Sequence, residues 1–479
     1  MKKLFAVLLA LTLVLSMGIT AFAADGDTTK GTITISNAID GATYNIYKMF
    51  DFAPVDGSTT QGRYTVVAEW ADFLAGEGAA YLKENTETGT IEWNGEDTDA
   101  RKAELAKAAI AYAKDKKIAA TATETAAADG AVTFANVDLG YYAIDTSLGT
   151  VCALTNVDNT FNAHEKNQKP EIDKQVQEDA DDSWGKVNDA KIGQIVYYKS
   201  TITAGVGATN YVMHDKMDAG LTFNNDVRVE LADKTVVDPS NYTVITSTTD
   251  GDTFDVVFED TFIETINAGV TFTVYYSATL NSNAIVATDG NDNTVYLSYG
   301  EDTRWNTNTH TTSTFTWKID VFKFTKEGDT ETALSGATFK ILNNAGKVIT
   351  FSEVTGEAVP TYKVDPNGSI TEITTNLNGK FEIIGLDEGK YQLEEIAAPA
   401  GYNKLDKPVD FTITSVHNDQ DLTATYNSDE LSIKVENKTG GLLPETGGIG
   451  TTIFYAIGGL LMVAAVVFLV SKKRMAAFA

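Results

Sequence analysis

The sequence predicts an all-β chain: tandem immunoglobulin-like β-sandwich domains with one short helix in the first, held between two apolar ends. Three observations predict it. Apolar and polar residues alternate through most of the interior, as in Thr271-Phe272-Thr273-Val274-Tyr275-Tyr276. Threonine, valine and tyrosine in that alternation favour half-buried antiparallel strands. Gly, Asn and Asp turns interrupt the runs at short intervals, which is the pattern of sandwiches rather than of helix-covered sheets. The 479 residues are 43% hydrophobic with only 8 prolines, enough apolar surface for roughly three domains of typical size and incompatible with a disordered or collagen-like chain.

Taken in order, Lys2 and Lys3 precede an apolar run from Leu4 to Leu15, and Ala21-Phe22-Ala23 follows. A basic start, a short apolar run and a small-residue site describe a secretory signal peptide over 1–23, cut after Ala23. The run is too short to span a bilayer. The first domain, 24–165, opens on Gly31-Thr32-Ile33-Thr34-Ile35 and holds the exception to strand alternation. Over 99–114, Ala103, Leu105, Ala109, Ile110 and Tyr112 recur at helical spacing. The charged stretch Glu165-Lys166-Asn167-Gln168-Lys169-Pro170 separates it from the second domain, 166–313, in which Thr243-Val244-Ile245 reads as a strand. The polar segment Glu301–Thr314 then leads to the third domain, 314–440. Residues 449–470 are almost wholly apolar or small and long enough to span a bilayer, and Lys472-Lys473-Arg474 keep the far end cytoplasmic.

Charge and rare residues exclude several functions. There are 37 basic and 66 acidic residues, a net charge of −29, which argues against nucleic acid or anionic lipid as a partner. Removing 1–23 and 447–479 takes five basic residues and no acidic ones, leaving 32 against 66, a net −34. Such a chain is soluble and repels its own copies, so self-assembly needs more than electrostatics. One cysteine, Cys152, permits no intrachain disulfide and reads as a small buried hydrophobe. The four histidines (His164, His214, His310, His417) lack metal-ligand spacing. No nucleotide-binding or nucleophile-elbow motif occurs. Neither a metal nor a cofactor is expected.

The informative signal is reactive polar residues in phase with apolar ones, since residues two apart on a strand share a face. Lys174 is in phase with Ile172 and Val176, Asp215 with Tyr211 and Met213, and Asn293 with Val295 and Leu297. In the third domain Lys323 follows Ile319 and Val321, Glu395 follows Tyr391 and Leu393, and Asn437 follows Ile433 and Val435. Each of these two domains thus aims a lysine, a carboxylate and an asparagine inward. Burial lowers an amine's pKa and frees its lone pair; a carboxyl in the same dry pocket is raised and protonates an amide. Loss of ammonia then leaves a Lys–Asn isopeptide bond, a covalent staple that needs no oxidising compartment. Ordinary strand lysines that snorkel to solvent give the same parity. Lys326 competes with Lys323, being in phase with Phe322 and Phe324, and Asn291 competes with Asn293.

Several motifs carry a resemblance. Leu443-Pro444-Glu445-Thr446-Gly447, followed by the apolar span and basic tail, resembles the sorting signal of Gram-positive surface proteins over 443–479. The resemblance implies that a sortase attacks the Thr446 carbonyl, releases Gly447 and passes the acyl group to an amine. Tyr391-Gln-Leu393-Glu-Glu395-Ile-Ala-Ala-Pro399-Ala-Gly401-Tyr402 is similar to the E-box of Cna-B-type pilin domains, with Ile396 where threonine is usual. Leu334-Ser-Gly336-Ala337-Thr-Phe339 and Val435-Glu-Asn437-Lys resemble strands of the same domain type. The match implies Glu395 as catalytic carboxylate and Lys323 and Asn437 as the joined pair. The second domain, through Ile192–Tyr198, Asp215, Gly220–Phe223 and Gly290–Asn293, is similar to the isopeptide-forming fimbrial domain. That implies a triad of Lys174, Asp215 and Asn293.

Together these resemble the major, or backbone, pilins of sortase-assembled pili. The resemblance implies an exported, wall-anchored shaft subunit whose only chemistry is single-turnover and on itself. Such pilins carry a linking lysine between their first two domains. His164-Glu165-Lys166-Asn167 stands at that place, with Lys-Asn matching and His-Glu in place of Tyr-Pro, so Lys166 is expected to link subunits and Lys169 is the fallback. Implied partners are sortase, further copies in a head-to-tail polymer, peptidoglycan, ancillary pilins and host surface ligands. A monomeric wall-anchored adhesin or a minor pilin at the tip or base are the alternatives.

Overall fold

Strand alternation governs most of the chain in the computed structural model, which describes residues 30–54, 62–128, 130–148, 154–156, 160–164, 168–205, 207–266, 269–287, 289–300, 304–439 and 449–476. By packing, the chain divides into two compact units. One comprises Met1–Asn188, Ile195–Thr279 and Asn291–Ser313; the other comprises Asp189–Gln194, Leu280–Gly290 and Thr314–Ala479.

The first unit begins with Lys30–Ala38, which pairs parallel to Thr160–His164 and antiparallel to Gly130–Asp138. A second sheet runs Gly62–Val66, Thr43–Pro54, Gly140–Thr146, Leu154–Asn156. The helix expected over 99–114 spans Asp99–Lys116. Thr98 caps it by accepting from the Arg101 N–H at 3.4 Å, and Lys117 ends it in the left-handed region. Its Leu105, Ala109, Ile110 and Ala113 pack against Met49, Phe50, Trp70 and Phe73. One helix was expected, but short helical turns at Ala68–Trp70, Ala71–Ala75 and Glu77–Ala80 join it. None is long enough to show a 3.6-residue period, and Gly76 and Gly78 interrupt the series.

Later in the same unit two sheets face each other. In one, Glu171–Gln177 pairs with Ile195–Thr203, which pairs with Thr271–Leu280. In the other, Val212–Met217 lies between Asn291–Tyr299 and Phe254–Phe258. Buried Ile172, Val176, Tyr198, Ile202 and Val274 come from the first sheet, and Met213, Phe254, Val256, Val295 and Leu297 from the second.

The second unit repeats the plan. Trp317–Glu327 pairs antiparallel to Lys380–Leu386 and parallel to the late strand Ser432–Glu436. Its facing sheet runs Ile373–Thr374, Thr338–Asn343, Gly389–Ala397, Val409–Ile413. Gly379 (φ +71°) lets the chain turn hard against the lysine-bearing strand. A Cβ there would stand 2.3 Å from the Lys323 carbonyl oxygen, and the Lys323 N–H donates to the Gly379 carbonyl at 2.7 Å. The apolar span expected at 449–470 is one helix, Ile449–Ala476, about 40 Å long at 1.5 Å per residue and able to cross a bilayer.

Candidate functional site

Period-2 geometry brings Lys174, Asp215 and Asn293 into one core. Lys174 projects inward from Glu171–Gln177 with Ile172 and Val176 on the same face. On the facing sheet Asp215 pairs with Val295 and Met217 pairs with Asn293, so Asp215 and Asn293 are diagonal neighbours on one inner face. All three are fully buried. The Lys174 Nζ lies 2.5 Å from Asp215 Oδ2, within 5.3 Å of the Tyr198 ring centroid and 4.9 Å of the Tyr276 centroid. The Tyr276 hydroxyl donates to the same Asp215 oxygen at 2.5 Å and also contacts Lys174. The Asn293 amide, by contrast, has no hydrogen-bond partner at either atom.

Electrostatics follow from that dryness. Burial pushes the Lys174 amine below its ordinary range, against the pull of Asp215, and pushes the Asp215 carboxyl above its own. Both shifts run toward a neutral amine beside a protonated acid. Asn293 stands one diagonal step from Asp215 in the ladder, whereas Asn291, equally buried, lies two residues further along the same strand, so the register favours Asn293 over Asn291.

In the second unit Lys323, Glu395 and Asn437 converge across the other sandwich, and all are buried. Lys323 Nζ stands 3.1 Å from Glu395 Oε1 and 5.7 Å from the Phe339 ring centroid. Glu395 Oε2 accepts from the Asn437 amide at 3.0 Å and from the Leu405 N–H at 2.7 Å. The Asn437 amide also donates to the Asn403 carbonyl at 2.7 Å, so the segment after Tyr402 clamps acid and amide together. Asn437 continues the strand that pairs alongside Lys323, with Lys323 opposite Val435, and its N–H donates to the Phe324 carbonyl at 2.9 Å. Its Oδ1 has no hydrogen-bond partner. Burial lowers the Lys323 pKa, again against its carboxylate neighbour. Lys326, the rival, is exposed.

Comparison with known proteins matches the same regions. A prealbumin-like fold domain, SpaA, covers residues 320–429, and an LPXTG cell wall anchor motif covers 435–476. The trypsin-resistant surface T6 protein of Streptococcus pyogenes serotype M6 is 24% identical over 405 residues, 65% of this chain and 70% of that one. The solved T6 backbone pilin of serotype M6 S. pyogenes, described as a modular three-domain structure, shares the fold with a TM-score of 0.54. It is 17% identical, and the match covers 87% of this chain and all of that one. The chain carries a prealbumin-like SpaA domain and an LPXTG cell wall anchor motif, and it shares the fold of a solved backbone pilin.

The anchor motif makes this a surface protein anchored to the cell wall. Its Leu443, Pro444, Glu445, Thr446 and Gly447, together with Lys166, Cys152 and the 1–23 segment, lie outside the described residues. Lys169 is exposed, its Nζ 5.9 Å from the Trp305 ring centroid. Tyr276 belongs to the same cluster as Lys174 and Asp215, and its place there is not legible in the sequence. It sits in phase with Phe272 and Val274 and reads as ordinary core, and only the facing strand reveals its hydroxyl partners.

Proposed function

We propose that this pilin forms the covalently polymerised shaft of a surface pilus, joined by sortase from Thr446 of one subunit to Lys166 of the next and stapled internally by Lys174–Asn293 and Lys323–Asn437 isopeptide bonds. The supporting observation is that two buried lysine–carboxylate–asparagine clusters each sit between an early and a late strand of a sandwich in a wall-anchored chain. In each cluster the neutral lysine amine attacks the asparagine Cγ while Asp215 or Glu395, acting as general acid, gives a proton to the amide oxygen. The carboxylate then takes a proton from the new ammonium and returns it to the amide nitrogen, which leaves as ammonia. As ammonia leaves, the proton on the former amide oxygen returns to the carboxylate, so the carbonyl re-forms and the carboxyl group is regenerated; each site reacts once, so the chain is not a turnover enzyme. Closure replaces a buried amine and amide, costly when incompletely paired, with a single secondary amide.

Between subunits, the donor end at Thr446 and the acceptor at Lys166 are different surfaces. Head-to-tail joining therefore does not close and gives an open fibre. The last subunit is passed to peptidoglycan.

The test is an immunoblot of muramidase-released wall protein boiled in SDS, comparing the native chain with Lys166→Ala. The expected result is a ladder of multimers that collapses to monomer in the variant. A ladder that survives moves the link to Lys169. Monomer in both, in cells expressing a pilin sortase, refutes the shaft and leaves an anchored adhesin.

A further inference from the structure

On the outer face of the strand that carries Asp215, a second cluster is assembled that the stapling chemistry does not use. His214 points away from the core and lies between two antiparallel neighbours, opposite Asp255 on one side and Tyr296 on the other. Its ring stacks on Tyr296 with centroids 4.5 Å apart. Asp250 and Asp252, from the turn that precedes Phe254–Phe258, come in over the same spot. His214 Nδ1 is 2.9 Å from Asp255 Oδ1, 3.3 Å from Asp252 Oδ2 and 3.8 Å from Asp250 Oδ2.

These contacts are unsatisfied as hydrogen bonds. His214 Nδ1, Asp252 Oδ2 and Asp255 Oδ1 are all shielded from solvent, and none has a hydrogen-bond partner. The Asp252 side chain keeps only 9% of its exposure. Orphaned acceptors at such depth are destabilising, and three carboxylates with oxygens within 4.8 Å of one another repel. Arg304 is the nearby cation that acts on Asp255, but its guanidinium donates to the Ser298 hydroxyl at 3.0 Å and to the Asn210 carbonyl at 3.2 Å. Ser298 Oγ in turn lies 2.9 Å from His214 Nε2. With Nε2–H donated to that oxygen, the Nδ1 lone pair faces the three carboxylates, the arrangement in which an outer hydrogen bond fixes the tautomer of a ligating histidine.

We propose that His214, Asp250, Asp252 and Asp255 bind one divalent cation of the zinc class. The four donor atoms lie within 4.8 Å of one another. A tetrahedron with metal–ligand distances of about 2.05 Å has edges of about 3.3 Å, which is the middle of the three distances from Nδ1. The imidazole nitrogen selects against calcium and magnesium, which take oxygen ligands. A single positive centre satisfies all three orphaned atoms at once and ties the Asp250–Asp252 turn to the Asp215 strand. Sequence spacing concealed the site, because the histidine and its carboxylates lie roughly 40 residues apart and meet only through the pairing of Val212–Met217 with Phe254–Phe258.

The test uses the untagged secreted chain, stripped with chelator and then exposed to zinc, cobalt or calcium. One equivalent of zinc after gel filtration, a raised unfolding temperature and the intense visible bands of four-coordinate cobalt are expected. His214→Gln and Asp252→Asn, each near-isosteric, are expected to lose affinity by about tenfold or more while still unfolding cooperatively. No stoichiometric zinc in the native chain overturns the proposal, and that measurement needs no variant. Zinc uptake unchanged in both variants overturns it as well, and so does a preference for calcium that His214→Gln leaves intact.

Discussion

Replacing Asp215 by asparagine keeps the size and shape of the side chain and removes its acid. In the core described above, Lys174 then faces an amide that cannot protonate Asn293, so the bond between them does not form. The loop this bond closes is about 120 residues long, and the chain-entropy relation assigns such a loop about 5 kcal/mol of stabilisation through the unfolded state. For a body of 150–250 residues that corresponds to an unfolding temperature lower by roughly 10–20 °C. The assay has two readouts on the secreted chain. Intact mass counts bonds directly, because each one removes ammonia: the native chain should be two ammonias light and Asp215→Asn one. Calorimetry then reads the stability of the affected body. A variant still two ammonias light would refute the role of Asp215, and a native chain with no deficit would refute the stapling altogether.

Other expectations follow from the same geometry. Glu395→Gln or Lys323→Ala should remove the second ammonia deficit, while Lys326→Ala, on an exposed side chain, should leave it unchanged; mass spectrometry of the three variants decides between the two lysines. Alkali should unfold the chain steeply. Burial holds the phenols of Tyr142, Tyr211 and Tyr276 above their ordinary range and pushes Tyr299 up to about 12. Folded values above the unfolded value near 10 mean that this contribution is complete below about pH 10 and is lost as pH rises from there. Four phenols at roughly 1.4 kcal/mol per pH unit give a slope of about 5 kcal/mol per unit. Phenolate absorbance should therefore appear for these groups only together with unfolding, and a free titration near pH 10 in the folded chain would contradict their burial.

The strand parity of both clusters was legible because a two-residue period is rigid. Lys174 aligned with Ile172 and Val176 cannot face solvent if they do not. Rotation at the end of a strand was not legible. In Trp317–Glu327 the alternation holds through Lys323 and then breaks, with Lys323, Phe324 and Thr325 all buried in succession. That break made Lys326 look equivalent by phase although it is exposed. Contacts between facing sheets were likewise hidden, which is why Tyr276 passed as core and the carboxylate turn over His214 went unnoticed. The E-box segment disclosed Glu395, but not the Leu405 N–H and Asn403 carbonyl that hold the acid against Asn437.

If sortase joins Thr446 to Lys166, the two staples also define where tension runs. Pulling force enters a subunit at Lys166 and meets Lys174 a few residues later. Through the isopeptide it crosses to Asn293, follows the chain to Lys323, crosses again to Asn437 and leaves at Thr446. The two long stretches between the stapled residues lie off that path, so their strands bear no load however weak their hydrogen bonds. The first domain, before Lys166, lies off the path as well and needs no staple. A single-molecule experiment that pulls between positions 166 and 446 makes this quantitative. The native chain should show no large unfolding step, whereas Asn293→Ala should release a loop of about 120 residues, a gain of roughly 400 Å at full extension. A step of that size in the native chain would mean that the load passes through the sheets and not through the bonds.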